Sequence, residues 1–370
     1  MLKLRNGVSL VAFALMAGGC MARADEAADL AAMIAAAKAE PPITVYAVTG
    51  KIVETAEAFS KAYGLQATGK KVNESEQAEL MIREAQAGNV VGDLAVAGDL
   101  AVVMGQLIPE GIAETWLPPD LAGSIAPGAQ NPLIIVSDPH VWAYNTAVYD
   151  KCPVSNVWEL TEPKWHGKVA MMDPLAKPAY ADWFNQLETH HDAEMAAAYA
   201  AQYGKAFDAS AGSATAAWVA ALAANAPLIS DSTGVSDAVG APGQTEPFFG
   251  IMSTAKFRDN LTGKTALGIC AGLQPFEGWL YPGVGALATG SKSPNAARLF
   301  VHFLLSAEGI APQTIDGKVS SNTSLPPDPN EVSGVGTHLD KLMVYDTATA
   351  VEDLDRRQDW QDAWRLALSK

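Results

Sequence analysis

Cysteine, histidine and basic side chains are all scarce in this chain of 370 residues, and each shortage closes off a class of function. Three cysteines are too few for a disulfide-stapled scaffold, an iron–sulfur centre or a Cys-rich zinc site. Lysine and arginine number 25 against 41 aspartates and glutamates, a net charge of −16, so no basic footprint for nucleic acid is expected. No segment reaches the ~18 uninterrupted apolar residues that a membrane-crossing helix requires. Catalytic motifs are missing too: there is no H-E-x-x-H, no G-x-x-x-x-G-K-[ST] and no G-x-S-x-G. Gly283-Val284-Gly285-Ala286-Leu287-Ala288 imitates a dinucleotide fingerprint, but it lies in an apolar strand rather than at a strand-to-helix turn. His190-His191 are neighbours on a helix and so point about 100° apart, which suits solvent better than a shared metal ion. The reading from residues is of a binding protein with no enzyme activity, no cofactor and no protein-built metal site.

What is present is a large apolar fraction, 49%, with only 18% charged residues, enough to bury substantial cores. The length suits two domains. At the start, Lys3 and Arg5 precede a ten-residue apolar run, Val8 to Ala17, and then the small-x-small pattern Ala22-Arg23-Ala24. This reads as a signal peptide over 1–24, with export to the periplasm. The alternative is lipidation at Cys20, after Ala17-Gly18-Gly19. Cys152 and Cys270 then remain, either as a disulfide or as two buried thiols.

Strand-like and helix-like stretches alternate along the chain, which predicts an α/β layer fold. Ile43 to Val48 reads as a strand, and Ile52 to Tyr63 as a helix closed by Gly64. A helix from Ser75 to Ala87 precedes a short buried strand at Asp93 to Ala97. Leu133 to Ser137 and Val141 to Tyr144 read as paired strands turning at Asp138-Pro139. A strand at Lys168 to Met172 runs into Asp173-Pro174, followed by helices near 180–190, 193–203 and 214–224. Leu228 to Ser230, Phe248 to Met252, Ala266 to Ala271 and Trp279 to Ala288 are further strands. Helices close the pattern at Ala296 to Leu305 and Val351 to Leu368, separated by a Ser/Asn/Pro/Gly-rich loop over 320–336.

Several polar loops sit where a strand gives way to a helix, and free N–H groups there favour anions. The candidates are Thr49, Gly50, Ser75, Asp99, Asp173, Ser232 and Thr233. Helix capping accounts for any one of them, and a binding site requires several to converge. The aromatic candidates for lining such a site are Tyr144, Tyr180, Trp279 and Tyr281.

The order of these pieces resembles bacterial extracellular solute-binding proteins of ABC importers, the type 2 periplasmic binding proteins, in their ferric-binding-like branch. Ile43-Thr44-Val45-Tyr46 and Gly92-Asp93-Leu94-Ala95-Val96 are similar to the family's opening. Trp142-Ala143-Tyr144-Asn145-Thr146 resembles its first hinge strand, and Trp165 through Asp173-Pro174 the strand that enters its second lobe. Tyr281-Pro282 and the helix Ser293-Pro294-Asn295-Ala296-Ala297-Arg298-Leu299-Phe300 resemble the return strand and the helix after it. The resemblance covers roughly 43–326 and implies a two-lobe periplasmic-binding-protein fold with two hinge strands. It implies lobe 1 at 25–143 plus 282–370, lobe 2 at 144–281, and a small-molecule solute trapped between them by hinge closure. It also implies delivery to ABC permease membrane subunits and a monomeric protein. Iron-binding members use adjacent tyrosines, whereas this chain has Phe248-Phe249 nearby and no Tyr-Tyr pair. A phenyl ring is no ligand for ferric ion, so a small polar or anionic solute, phosphorylated among them, is expected. Ferric transport and ligand sensing at a receptor are the alternatives.

Overall fold

The computed structural model describes residues 28–369. The expected signal peptide and Cys20 lie outside the described residues. Twelve strands join in one sheet. In chain order they are β1 (Ile43–Ala47), β2 (Ala67–Lys71), β3 (Leu94–Ala97), β4 (Ala113–Glu114), β5 (Ile134–Asn145) and β6 (Val169–Met171). They continue with β7 (Leu228–Ile229), β8 (Phe249–Ser253), β9 (Leu267–Ile269), β10 (Gly278–Ala288), β11 (Val319–Ser320) and β12 (Leu342–Val344).

The main path runs β2-β1-β3-β10-β5-β8-β6-β7. Its two wings are parallel, β2-β1-β3 at one end and β8-β6-β7 at the other. Parallel pairing needs crossovers, and helices supply them on both wings. Helices Ile52–Tyr63 and Glu74–Gln86 link the strands of the first wing. Pro178–Tyr203, Ala214–Ala224 and Ser232–Gly240 do so in the second. The wings are joined through the antiparallel pair β5 and β10, the two longest strands. Val284 to Leu287 of β10 pair with β3, while His140 to Ala143 of β5 pair with β8. Each long strand therefore starts in one half of the sheet and ends in the other.

This arrangement corrects one sequence expectation. The two segments either side of Asp138-Pro139 do not turn back on each other; they form the single strand β5. On the flank of β5 away from β10, β11 pairs as far as Ser137 and β8 begins at His140. Asp138 and Pro139 fall in the gap between those pairings, where a proline's missing N–H costs no ladder bond on that flank. Similarly, the stretches 180–190 and 193–203 form one helix, Pro178–Tyr203, kinked at His191, whose φ of −135° breaks the helical run. A helix at Ala307–Thr314 and strand β12 were not expected.

The buried apolar side chains fall into distinct clusters. Around the first wing, Phe59, Phe300 and Phe303 cluster with Ile, Leu and Val side chains. Another cluster is rich in tryptophan and runs across both halves: Trp142, Trp183, Trp218, Trp279 and Trp364 are buried in it together with Tyr46 and Ala95 of the first wing. Cys152 and Cys270 form a disulfide, with Cα atoms 5.0 Å apart.

The C-terminal helix Ala350–Leu368 buries Trp360 and Trp364. Asp353 on that helix accepts from Asn185 and Gln186 of helix Pro178–Tyr203 at 2.7 Å each. Arg357 donates to Asp182 at 2.9 and 2.7 Å and to Asp99 at 3.0 and 2.7 Å, joining the helix that follows β3 to helix Pro178–Tyr203.

Candidate functional site

Where the two wings diverge, a cavity of about 720 Å³ opens above the crossing strands β5 and β10. Its floor carries Asp138 and His140 from β5 and Tyr281 from β10. One wall holds Thr49, Gly50, Lys71, Asn73, Glu74 and Ser75; the other holds Asp173, Lys177, Asp231, Ser232, Thr233 and Lys256. Every loop here follows a wing strand, the position where parallel sheets leave helix starts and loops free to meet a ligand.

Seven of the eleven sequence candidates meet in this cavity: Thr49, Gly50, Ser75, Asp173, Ser232, Thr233 and Tyr281. Four lie elsewhere. Asp99 is 5% exposed and committed to the Val102 N–H at 3.0 Å and to Arg357, behind the cavity. Tyr144 packs over Gly268 toward the far end of β5. Tyr180 is wholly buried beneath the floor, its hydroxyl 3.3 Å from His140 Nδ1. Trp279 is also fully buried, stacked on Trp183 with centroids 5.8 Å apart.

The basic groups of the cavity are not among the sequence candidates. Lys71, Lys177, Lys256, Arg258 and Lys318 line it, a fifth of the chain's basic side chains gathered in one place on a strongly acidic protein. Three of them have acid partners. Lys177 lies 2.9 Å from Glu74, Lys318 3.5 Å from Asp138, and Arg258 2.9 Å from Asp316. Lys71 and Lys256 make no ion pair among the described residues, and they come from opposite walls. Lys256 Nζ donates to Thr233 Oγ1 at 3.0 Å, and burial pushes the Lys256 ammonium below its ordinary pKa, with Arg258 adding to the effect.

On the floor, burial drives the His140 imidazole down to about 4, with Lys177 and Lys318 opposing its charge further, so it is neutral at pH 7. Burial also opposes the charge of Asp138, but Lys318 and the Ser253 hydroxyl, which donates at 2.6 Å, hold its carboxyl below the usual range. Tyr281 donates its hydroxyl to Glu74, and burial, reinforced by that carboxylate, raises the phenol well above its ordinary pKa. Gly98 leaves room for this hydroxyl, since a Cβ there would come within 2.5 Å of it.

The helix starts differ in what they offer. At Ser232–Gly240 the cap is Asp231, whose carboxylate accepts from the Thr233 and Gly234 N–H groups at 3.0 and 2.8 Å. Those two N–H donors are already satisfied by a negative charge. The starts of Ile52–Tyr63 and Glu74–Gln86 carry no side-chain cap, but the Ile52 and Val53 N–H groups already donate to the Thr49 and Gly50 carbonyls at 3.4 and 3.2 Å, so it is Glu74–Gln86 that keeps its first-turn N–H groups. Among the described residues, no three His, Cys, Asp or Glu side chains group to hold a metal ion.

A sheet with two parallel wings, two shared long strands and a polar cavity between the halves defines a two-lobed α/β binding protein. The chain belongs to the bacterial extracellular solute-binding protein family, whose model matches residues 43–317. It is thus a solute-binding protein of an extracellular family, and no helix among the described residues is long and apolar enough to cross a membrane. The fold is similar to that of iron-bound HitA from Pseudomonas aeruginosa, with a TM-score of 0.66 at 18% identity, covering 86% of this chain and 99% of that one. AfuA from Actinobacillus pleuropneumoniae with exogenous fructose-6-phosphate bound is similar at a TM-score of 0.62 and 19% identity, covering 88% and 99%. The substrate-binding protein of an ABC transporter from Agrobacterium tumefaciens gives 0.66 and 15%, covering 89% and 94%. At these identities the likeness is one of fold. No curated protein matches the chain by sequence.

Proposed function

We propose that this protein captures a small polar solute with an anionic, phosphate-like end and delivers it to the membrane subunits of an ABC importer. The lobes, 25–143 plus 282–370 and 144–281, would close about β5 and β10 over the solute, in a monomeric, exported protein whose residues 1–24 are removed. The observation that carries the ligand class is the pair of unneutralised cations, Lys71 and Lys256, facing one cavity from opposite walls. Closure on an anion would bring both charges to it, and the hydroxyls of Thr49, Ser75 and Ser232 supply neutral donors around them. The uncapped start of helix Glu74–Gln86 adds N–H donors on the first wall. A ferric site has less support. Tyr281 is the one phenol lining the cavity among the described residues, and its bond to Glu74 and raised pKa keep it protonated. Ferric ion needs the phenolate.

Isothermal titration with inorganic phosphate, fructose-6-phosphate, free fructose and ferric citrate tests the reading. The phosphorylated ligands should bind and the free sugar should not. Lys256→Ala and Lys71→Ala should each weaken phosphate binding by about tenfold to a hundredfold, the loss of one charge-assisted hydrogen bond. Thermal stability should stay unchanged, since neither lysine neutralises a buried acid. Ferric binding without phosphate binding, or variants that bind phosphate as well as the wild type, would overturn the proposal.

A further inference from the structure

We propose that Glu74 is a resident anion that fills one of the cavity's two anion positions and so limits the solute to a single anionic group. Glu74 is the first residue of helix Glu74–Gln86 in the first wall and is 6% exposed. Its carboxylate reaches across to the other lobe. One oxygen accepts from Lys177 Nζ at 2.9 Å and from the Tyr281 hydroxyl. The other accepts from the backbone N–H of Ala179 at 3.3 Å, in the first turn of helix Pro178–Tyr203. That helix has no side-chain cap of its own from Lys177, the residue at its start. Lys177 also lies over the Tyr281 ring, 4.6 Å from its centroid, which fixes where the ammonium points.

An ammonium, a phenol hydroxyl, a backbone N–H and the positive end of helix Pro178–Tyr203 thus converge on the two oxygens of one side chain. This is the donor set that would hold a phosphate or carboxylate of a ligand, and the chain's own carboxylate occupies it. The anionic end of a solute is left with Lys71 and Lys256. A second anionic group on the same solute would meet Glu74 rather than a free cation. This inference rests on the proposed anion-binding function, which assigns Lys71 and Lys256 to the ligand.

The test compares the wild type with Glu74→Ala, which vacates the position, and Glu74→Gln, which keeps its shape without the charge. Melting temperatures are measured in sodium acetate and in sodium chloride at equal ionic strength, and inorganic phosphate is titrated calorimetrically. Acetate should stabilise Glu74→Ala selectively by entering the vacated position, and phosphate should show a second site in that variant. In Glu74→Gln, Lys177 loses its counter-charge, and phosphate affinity should rise on the order of tenfold. A folded Glu74→Ala with neither acetate-specific stabilisation nor a second phosphate site would overturn the inference. So would unchanged phosphate affinity in Glu74→Gln, which also decides the matter if Glu74→Ala does not fold. Lys256→Ala separates the two proposals: it should weaken the first phosphate site by the same roughly tenfold to hundredfold and leave the acetate response of Glu74→Ala intact.

Discussion

Two charged clusters lie within reach of the same helix, Pro178–Tyr203, and are balanced in opposite ways. Behind the cavity, a single guanidinium, Arg357, serves two buried acids, Asp99 and Asp182, and all three of its nitrogens donate to them. Although burial opposes its charge, those two carboxylates keep the Arg357 pKa above its ordinary value. Inside the cavity, five cations face four acids among the lining residues, and Lys71 and Lys256 remain without an acid partner. The first cluster is closed and holds the C-terminal helix to both halves of the molecule. The second is open on the side a ligand approaches. Charge in the same fold is thus structural where it is fully paired and available for binding where it is not.

The sharpest way to break the contrast is Arg357→Met. It leaves Asp99 and Asp182 buried without a counter-ion, and should cost about 3–5 kcal/mol in urea unfolding. The contrast fails if that variant is no less stable than Lys256→Ala. A smaller effect is expected at the floor. The unfolded chain takes up a proton on His140 near pH 6.5, and the folded one only near 4. Between those values the unfolded state binds more protons, so stability falls as pH drops from 6.5 to 4, by about 3 kcal/mol. Asp138, Lys177, Lys318 and Tyr180 surround this imidazole. Asp138, held below 3.8, adds its own loss only at still lower pH. His140→Gln should flatten the pH 6.5-to-4 limb when stability is measured by denaturant titration at each pH; an unchanged limb would show that other groups carry it. The lysine substitutions rank next, with their effect on affinity rather than stability.

What could be read from the sequence follows from how local each determinant is. The strand and helix at 43–63 follow from alternation, helical spacing and a left-handed Gly64 with φ of 68°. The polar loops at Thr49, Ser75 and Ser232 were legible because a loop between strand and helix has few other places to lie. Asp138-Pro139 misled because this pair favours turns locally, and only the neighbouring strands show that it sits in a gap of the sheet. Tyr180 and Trp279 looked like lining residues because aromatic side chains serve cores and sites equally well; which role applies depends on neighbours such as Trp183. The lysines were passed over for a related reason. A lone Lys in a sequence is ordinarily a solvated surface group, and Lys177 and Glu74 meet across 103 residues of chain.

The finest distinction lies between the helix starts around the cavity. Asp231 caps Ser232–Gly240 with a full negative charge, and its carboxyl is held below the ordinary range chiefly by the Gly234 N–H. Helices Ile52–Tyr63 and Glu74–Gln86 start without any side-chain cap. An acid on the wall where an anion is to bind repels it, whereas a serine caps the same N–H groups without charge. Asp231→Ser should therefore leave the fold intact and raise phosphate affinity by about twofold to fivefold, with the gain shrinking as salt is added. Calorimetry at two salt concentrations measures both. A loss of affinity instead would mean that Asp231 serves the ligand directly, as an acceptor for a solute hydroxyl, and that the wall carrying Ser232 and Thr233 reads the neutral part of the solute rather than its anionic end.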